Sequence, residues 1–469
     1  MQTAHPRRWT ALAFIALAQF MVIMDTSIIG VALPEIQADL GFSPENLSWV
    51  FNAYVIALGG LLLLGGRLSD LLGAKRVFLA GWAILAGGSL AAGLAGSVGL
   101  EIAARAAQGA GAALVAPSAL TLLMMLFGAN PKELMKAFAI YGAAAPAGGT
   151  AGVFLGGVIT EWISWPWVFY INLPIAALVL AVTPGLMPSA PARRGSVDVL
   201  GAITATAGLA LAVFGVVRAP EEGWGSVTTL LTLAGGVALL AGFVALQATR
   251  REPLVRLGIF RAPNLAAANV AQFMLGAAWI PMWFFLNLYL QQVLGYGAFE
   301  GGAALLPMTA AIMLLMVAVA PRVVDRYGPK VPIVAGMLLL AAGMAVLSLV
   351  RADGSFLVDV LPASLIAAAG MSLAFIPSLG TAISSARPEE GGLASGIVNT
   401  TYQVGSALGL AAMTAVASTG ATLTEGYSAA FAGAAAIAAA GAVLAVLLLG
   451  FPKPSGLHAR RPGETSPDS

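Results

Sequence analysis

The sequence predicts an all-α polytopic membrane protein with fourteen transmembrane helices. Three observations predict it: too few charges for a water-covered surface, apolar runs of bilayer length, and basic residues gathered on one side. Of 469 residues, 59% are hydrophobic and 9% are Asp, Glu, Lys or Arg, and the mean hydropathy is +0.90. A soluble domain carries about 25% charged residues. The net charge of +2 points to no nucleic-acid partner. There is no cysteine, and the two histidines, His5 and His458, lie in the polar tails. Disulfides, iron–sulfur clusters and thiolate metal sites are excluded, and neither a cofactor nor a metal is expected.

A bilayer core of about 30 Å is crossed by about 20 apolar residues as helix. Such runs occupy 9–33, 46–65, 77–96, 99–124, 137–160, 165–187, 198–217, 227–247, 264–287, 299–320, 331–350, 356–378, 394–417 and 428–450. They are too long for membrane strands and do not alternate every second residue. The first run follows Arg7 and Arg8. It exceeds a signal peptide's apolar stretch of about 7–15 residues and has no small-x-small cleavage site. With the N-terminus placed in the cytoplasm, inner loops and tails hold 20 of the 23 Lys and Arg residues. The outer loops hold Arg218 and Arg351, and Arg105 lies inside the fourth run. This positive-inside pattern predicts a multi-pass protein of the plasma (inner) membrane with both termini cytoplasmic.

The second and tenth runs end in related segments, GGRLSDLLGAKR and APRVVDRYGPK. Arg67, Asp70, Gly73 and Lys75 recur as Arg322, Asp325, Gly328 and Lys330, each offset by 255 residues. A constant offset in one topological place argues for duplication. It predicts an N-terminal six-helix bundle over 1–187 and a C-terminal one over 264–451. An inserted helix pair with inner loops fills 188–263, and a polar cytoplasmic tail, expected to be disordered, fills 452–469.

Along the chain, the first run carries Asp25 in FMVIMDTSIIGVALP, where a buried carboxylate is costly and marks function by default. In the 65–76 segment Gly66 and Gly73 permit close approach and a tight turn. Asp70, Lys75 and Arg76 form either a latch of the cytoplasmic gate or a solvated turn with topogenic charges. Arg105 in the fourth run lies at Asp25's depth, both roughly 10–14 Å below the outer face. Arg105 pairs with Asp25, or with Glu101 one turn away. That charge set either exchanges protons, with Arg105 tuning Asp25, or is a static ion pair. In the fifth run Gly148, Gly152 and Gly156 make a double GxxxG face, for a moving interface or for plain packing. Trp162, Trp165 and Trp167 read as an interfacial aromatic belt. Gln272, Trp279, Trp283 and Asn287 in the ninth run, with Asn399 and Gln403 in the thirteenth, line a substrate cavity or bond helix to helix. No GxxxxGK[ST], GxSxG or HExxH occurs, which argues against an ATP-driven pump and against an enzyme.

GGRLSDLLGAKR resembles the loop-2–3 signature of the major facilitator superfamily, and RAAQGAGAAL resembles its fourth-helix signature. MDTSIIGVALP, WPWVFYINLP and the fourteen runs are similar to its fourteen-span drug:proton antiporter branch. The resemblance implies major-facilitator-type halves, proton-linked roles for Asp25 and Arg105, and a gate role for Asp70. Leu71, Ala74, Gly30, Val153 and Pro166 depart from the family pattern, and the thirteenth run lacks an acid, which disfavours dications as cargo. The function so implied is proton-coupled export of amphipathic organic compounds, drugs or secreted metabolites, by alternating access. The expected partners are the small substrate, protons and the lipid bilayer, and the expected state is a monomer. An importer or uniporter of a specific small molecule, or a non-transporting membrane sensor, is the alternative.

Overall fold

A computed structural model describes residues 7–42, 49–189, 198–251, 253–387 and 390–450. The segment 452–469, expected to be disordered, lies outside the described residues. Among those described, the chain is helical and contains no strand. Its first six long helices are α1 (Arg8–Leu40), α2 (Trp49–Leu68), α3 (Ala74–Gly93), α4 (Val98–Phe127), α5 (Pro131–Trp162) and α6 (Asn172–Leu186). Then come α7 (Val199–Glu222), α8 (Val227–Thr249), α9 (Leu265–Leu288) and α10 (Leu306–Ala318). The last four are α11 (Lys330–Leu347), α12 (Leu361–Ser384), α13 (Gly391–Ala417) and α14 (Leu423–Leu448).

Local chemistry sets the helix starts. Ser97, Asn130, Asp198, Ser226 and Thr422 each accept a backbone N–H of the following first turn. Such caps satisfy donors that the helix itself leaves free. The 65–76 segment, expected as a loop, is helical almost throughout. A π-turn over Ser69–Gly73 prolongs α2, and α3 starts at Ala74. Gly73 makes the reversal at φ +91°, and Gly328 makes the same turn at φ +73° in the second segment of the repeat. A side chain is rarely tolerated at such φ values.

Among the described residues eleven stretches are long and apolar enough to cross a bilayer, one of which, Trp49–Gly93, takes in both α2 and α3. The apolar part of α7 is shorter, and α13 is diluted by the polar run Asn399–Gln403.

Helix pairings repeat between the two ends of the chain. Helix α1 packs on α5 as α9 packs on α13; α3 on α4 as α11 on α12; α2 on α4 as α10 on α12; and α3 on α6 as α11 on α14. Among the contacts that join these sets are those of α2 with α13 and of α10 with α5. They are themselves related by the same exchange. Helix α7 lies on the α2–α13 seam, where the Thr206 hydroxyl donates to Gly60 O at 3.0 Å. Helix α8 packs mainly on α7 and is only 11% buried over its apolar window, as a lipid-facing helix must be. At the end bearing the basic segments, Leu254, Val255 and Ile259 bury themselves with Leu63 of α2 and with Leu393, Ala394 and Ile397 of α13. Asp198 and Gln247 hold that connection together: Gln247 donates to Asp198 at 2.9 Å and accepts Val255 N–H at 3.0 Å.

Lys75 donates to Pro184 O near the end of α6 at 2.5 Å, and Lys330 donates to Val446 O near the end of α14 at 2.8 Å. Each lysine thus sits on the negative end of the last helix of its set. Trp162 and Trp167 are exposed, as a belt requires. Trp165 instead is buried and donates to Asp39 Oδ2 at 2.9 Å, because α1 runs on to Leu40 and brings that acceptor beside it.

Candidate functional site

Asp25 lies midway along α1 and is 1% exposed; Arg105 on α4 is 0% exposed. Arg105 Nη1 donates to Asp25 Oδ2 at 2.7 Å, a charge-assisted bond that joins the two helices. Asp25 Oδ1 accepts from Asn172 Nδ2 of α6 at 2.8 Å and from Gln108 Nε2 of α4 at 3.2 Å. Ser89 Oγ of α3 accepts from the same two amides, at 3.1 Å and 2.8 Å. Arg105 also donates from Nε to Val50 O of α2 at 2.9 Å and from Nη1 to Gln108 Oε1 at 2.8 Å. Its guanidinium lies 4.5 Å from the Tyr54 ring centroid and 5.9 Å from that of Phe169. Six segments therefore converge on one ion pair, Phe169 lying on the short helix Trp167–Tyr170. Burial of two charges is tolerated only with this density of partners.

Glu101, one turn from Arg105 on α4, does not join the network. It is 0% exposed, and neither carboxylate oxygen has a hydrogen-bond partner among the described residues. The same holds for Nη2 of Arg105.

The residues expected to line a cavity do not all face one space. Gln272 is turned into the α9–α12 contact, donating to Phe375 O at 3.0 Å and to Ser378 Oγ at 2.9 Å. Trp279 is buried, 6.2 Å between ring centroids from Trp283. Trp283 is half-buried and reaches across to α5, 3.4 Å from where a Cβ on Gly149 would stand. Ser27, two residues beyond Asp25, lies 3.7 Å from the same point. Asn287 accepts from Gln291 at 2.7 Å, and Asn399 donates back to Ser395 O at 2.9 Å. Gln403 faces α2, 4.0 Å from a Cβ position on Gly59. The half-buried set that meets the opposite helices is thus Trp283 and Gln403, with Asn287 and Asn399 half-buried nearby in sequence.

In the basic-end segments, Gly66 lies 3.7 Å from a Cβ position on Gly396 of α13, so the α2 segment is seated against the other set. Asp70 is half-buried in the π-turn, and Arg76 is exposed. Arg322 and Asp325 lie on the short helix Ala320–Tyr327, where Arg322 donates back to Ala318 O. The glycine face of α5 receives α1: Cβ positions on Gly148, Gly152 and Gly156 fall 2.3, 2.7 and 2.8 Å from the carbonyl oxygens of Phe20, Met24 and Ile28.

Sequence reasoning did not single out Gln108, Asn172, Ser89 or Tyr54. The first two stood inside RAAQGAGAAL and WPWVFYINLP, and an amide within an apolar run was the available signal. It also passed over Gly405 and Gly409 of GSALG, whose Cβ positions fall 2.2 Å from the carbonyl oxygens of Phe273 and Ala277. They do for α13 and α9 what Gly148 and Gly152 do for α5 and α1. Among the described residues no group of three or more His, Cys, Asp and Glu side chains is placed to hold a metal ion.

The Major Facilitator Superfamily model matches residues 15–410. The chain belongs to the Major Facilitator Superfamily. It is a membrane transporter of that superfamily and not an enzyme, and superfamily drug exporters carry small organic substrates across the membrane. It is 40% identical to the cephamycin export protein CmcT of Amycolatopsis lactamdurans, over 94% of this chain and 92% of that protein. It is 36% identical to the puromycin resistance protein pur8 of Streptomyces alboniger, over 90% of this chain and 84% of that protein. It is 33% identical to a lincomycin resistance protein of Streptomyces lincolnensis, over 86% and 83% of the two chains. Among solved structures, the human organic anion transporter MFSD10 superposes with a TM-score of 0.70 at 16% identity, covering 94% of this chain and 100% of that one. That likeness speaks for the major-facilitator fold alone.

Proposed function

We propose that this superfamily member exports an amphipathic organic compound, an antibiotic or a secreted metabolite, in exchange for protons. The single observation that carries the reading is Asp25: a carboxylate deep in α1, held by Arg105, Gln108 and Asn172, in a body with few other acids. The names of the relatives, export and resistance proteins for antibiotics, support the direction.

In this reading the chain crosses the plasma membrane fourteen times with both termini cytoplasmic, and works as a monomer. Residues 1–187 and 264–451 are the two halves, and 188–263 the inserted pair. The Gly66–Arg76 segment and its repeat around Arg322–Lys330 belong to the cytoplasmic gate. Substrate binds between the halves against Trp283, Asn287, Asn399 and Gln403. A proton reaching Asp25 removes the charge that holds Arg105, so that α1 and α4 are no longer tied by an ion pair. One charge crossing 100 mV provides about 2.3 kcal/mol. At about 1.4 kcal/mol per decade, one proton sustains a substrate gradient of roughly 40-fold.

The test uses inside-out vesicles with an acidic lumen and a quenched pH dye. Adding lipophilic cations, neutral antibiotics and dyes to wild type is expected to evoke proton release for at least one compound. Asp25→Asn, which keeps the shape and removes the titratable proton, is expected to evoke none. Equal release from Asp25→Asn would sink the role given to Asp25. Proton flow in the opposite sense would make the protein an importer.

A further inference from the structure

Two buried groups at the site each lack the bond that the other offers. Both carboxylate oxygens of Glu101 are without a hydrogen-bond partner among the described residues, and so is Nη2 of Arg105. They stand at i and i+4 on α4, the spacing at which side chains on a helix meet. An ionised carboxylate left without partners in a dry interior is far costlier than the neutral acid. The arrangement described is therefore one with the proton on Glu101 and the negative charge on Asp25.

The charge count then limits where a second proton can go. Arg105 carries one positive charge, Asp25 one negative and Glu101 none, so the buried set is neutral. Protonating Asp25 alone strands a guanidinium in the interior. Protonating Asp25 while Glu101 ionises keeps the set neutral and gives Nη2 its acceptor. We infer that Asp25 and Glu101 hold one exchangeable proton between them, and that Arg105 changes partner from Asp25 to Glu101 when Asp25 takes it. One O–H bond breaks at Glu101 and one forms at Asp25; Arg105 stays charged throughout. Glu101 is the fourth residue of α4, at the end away from the basic segments, so a proton from that side meets it first. After Asp25 releases its proton to the other side, Glu101 is reloaded and Arg105 returns to Asp25.

The charges whose fields reach Glu101 are Arg105 and Asp25. From α2 the titratable neighbour of the set is Tyr54, whose ring lies under the guanidinium. On α5 and at the far end of α1, Glu161 and Asp39 are exposed at the rim. Lys75 and Arg76 of α3, and Glu390 before α13, stand at the opposite end.

This inference rests on the proton-exchange reading, and its test separates the two. The first readout is infrared spectroscopy of the protein in membranes at neutral pH. Surface carboxyls are ionised there, so a buried protonated carboxyl gives the remaining acid C=O stretch. Wild type is expected to show it and Glu101→Gln to lose it. The second readout is substrate-evoked proton release against luminal pH. A glutamine cannot take the charge that Arg105 needs when Asp25 is protonated. Half-maximal release in Glu101→Gln is therefore expected at a luminal pH lower by about one unit or more. Absence of the band in wild type overturns the inference, and that measurement stands even where the variant fails to insert. Release in Glu101→Gln with an unshifted profile overturns the exchange of partners. No release from wild type at all is instead the failure of the antiport reading itself.

Discussion

Asp25 is held by three donors of unequal kind. Arg105 supplies a charge; Asn172 and Gln108 supply neutral amides. All three donate to its carboxylate oxygens. Asn172→Ala removes the 2.8 Å bond and leaves the ion pair in place. A hydrogen bond to a charged group contributes about 1.5–3 kcal/mol, and one pH unit corresponds to about 1.4 kcal/mol. Asn172→Ala is therefore expected to move half-maximal proton release to higher pH by about one to two units, opposite in sign to Glu101→Gln. An unshifted profile would mean that the amide holds α6 in place without acting on the proton. Asp25 and Arg105 were legible in the sequence because each is a charge in an apolar run. Their partners were not, because a neutral amide in such a run reads equally as helix packing. Nothing in the sequence announces a contact across 147 residues, which only the fold creates.

At the scale of the element, the apolar runs located the helices and misjudged what happens between them. The turn at 65–76 is helical because Gly73 reverses the chain in a single residue, a geometry that composition does not encode. The glycine face of α5 was readable from its spacing, whereas that of α13 was hidden among Thr, Gln and Ser. The two contacts are nevertheless alike. A Cβ on Gly409 would stand 2.2 Å from Ala277 O, and the obstacle is backbone, not a flexible side chain. Gly409→Ala must push α13 off α9, and overpacking of this kind costs about 1–3 kcal/mol. Gly87 on α3 is exposed, and a Cβ there meets nothing within 4 Å. Gly87→Ala keeps every contact and gains helix propensity, up to about 1 kcal/mol. Thermal unfolding in one detergent is expected to put Gly409→Ala below wild type and Gly87→Ala level with it or above. The reverse order would mean that the close α9–α13 contact is not part of the stable fold.

Across the whole molecule, the exchange that maps α1–α6 onto α9–α14 also maps the α2–α13 seam onto the α5–α10 seam. The repeat in the two short segments was legible, but this pairing of seams was not, since it depends on which helices touch. At the basic end the α2–α13 seam is shut: a Cβ on Gly396 would lie 3.7 Å from Leu63 Cα and 3.4 Å from Leu62 O. The α8–α9 connection packs over the same place through Leu254, Val255 and Ile259. On the other seam Phe154 of α5 meets Phe299 at 4.9 Å, and the Thr150 and Thr309 hydroxyls are hydrogen-bonded. Alternating access requires the basic-end contact to part once per cycle. The chain has no cysteine, so a pair placed there is the only thiol pair in the protein. Leu63→Cys with Gly396→Cys is expected to cross-link under mild oxidant, since the backbones already approach to disulfide range. The cross-linked protein is expected to stop exporting substrate from cells, and reductant is expected to restore it. Either single variant under the same oxidant should keep its activity. Full export with the bond formed would mean that this seam stays closed throughout the cycle and that the path to the cytoplasm opens along α5 and α10 instead.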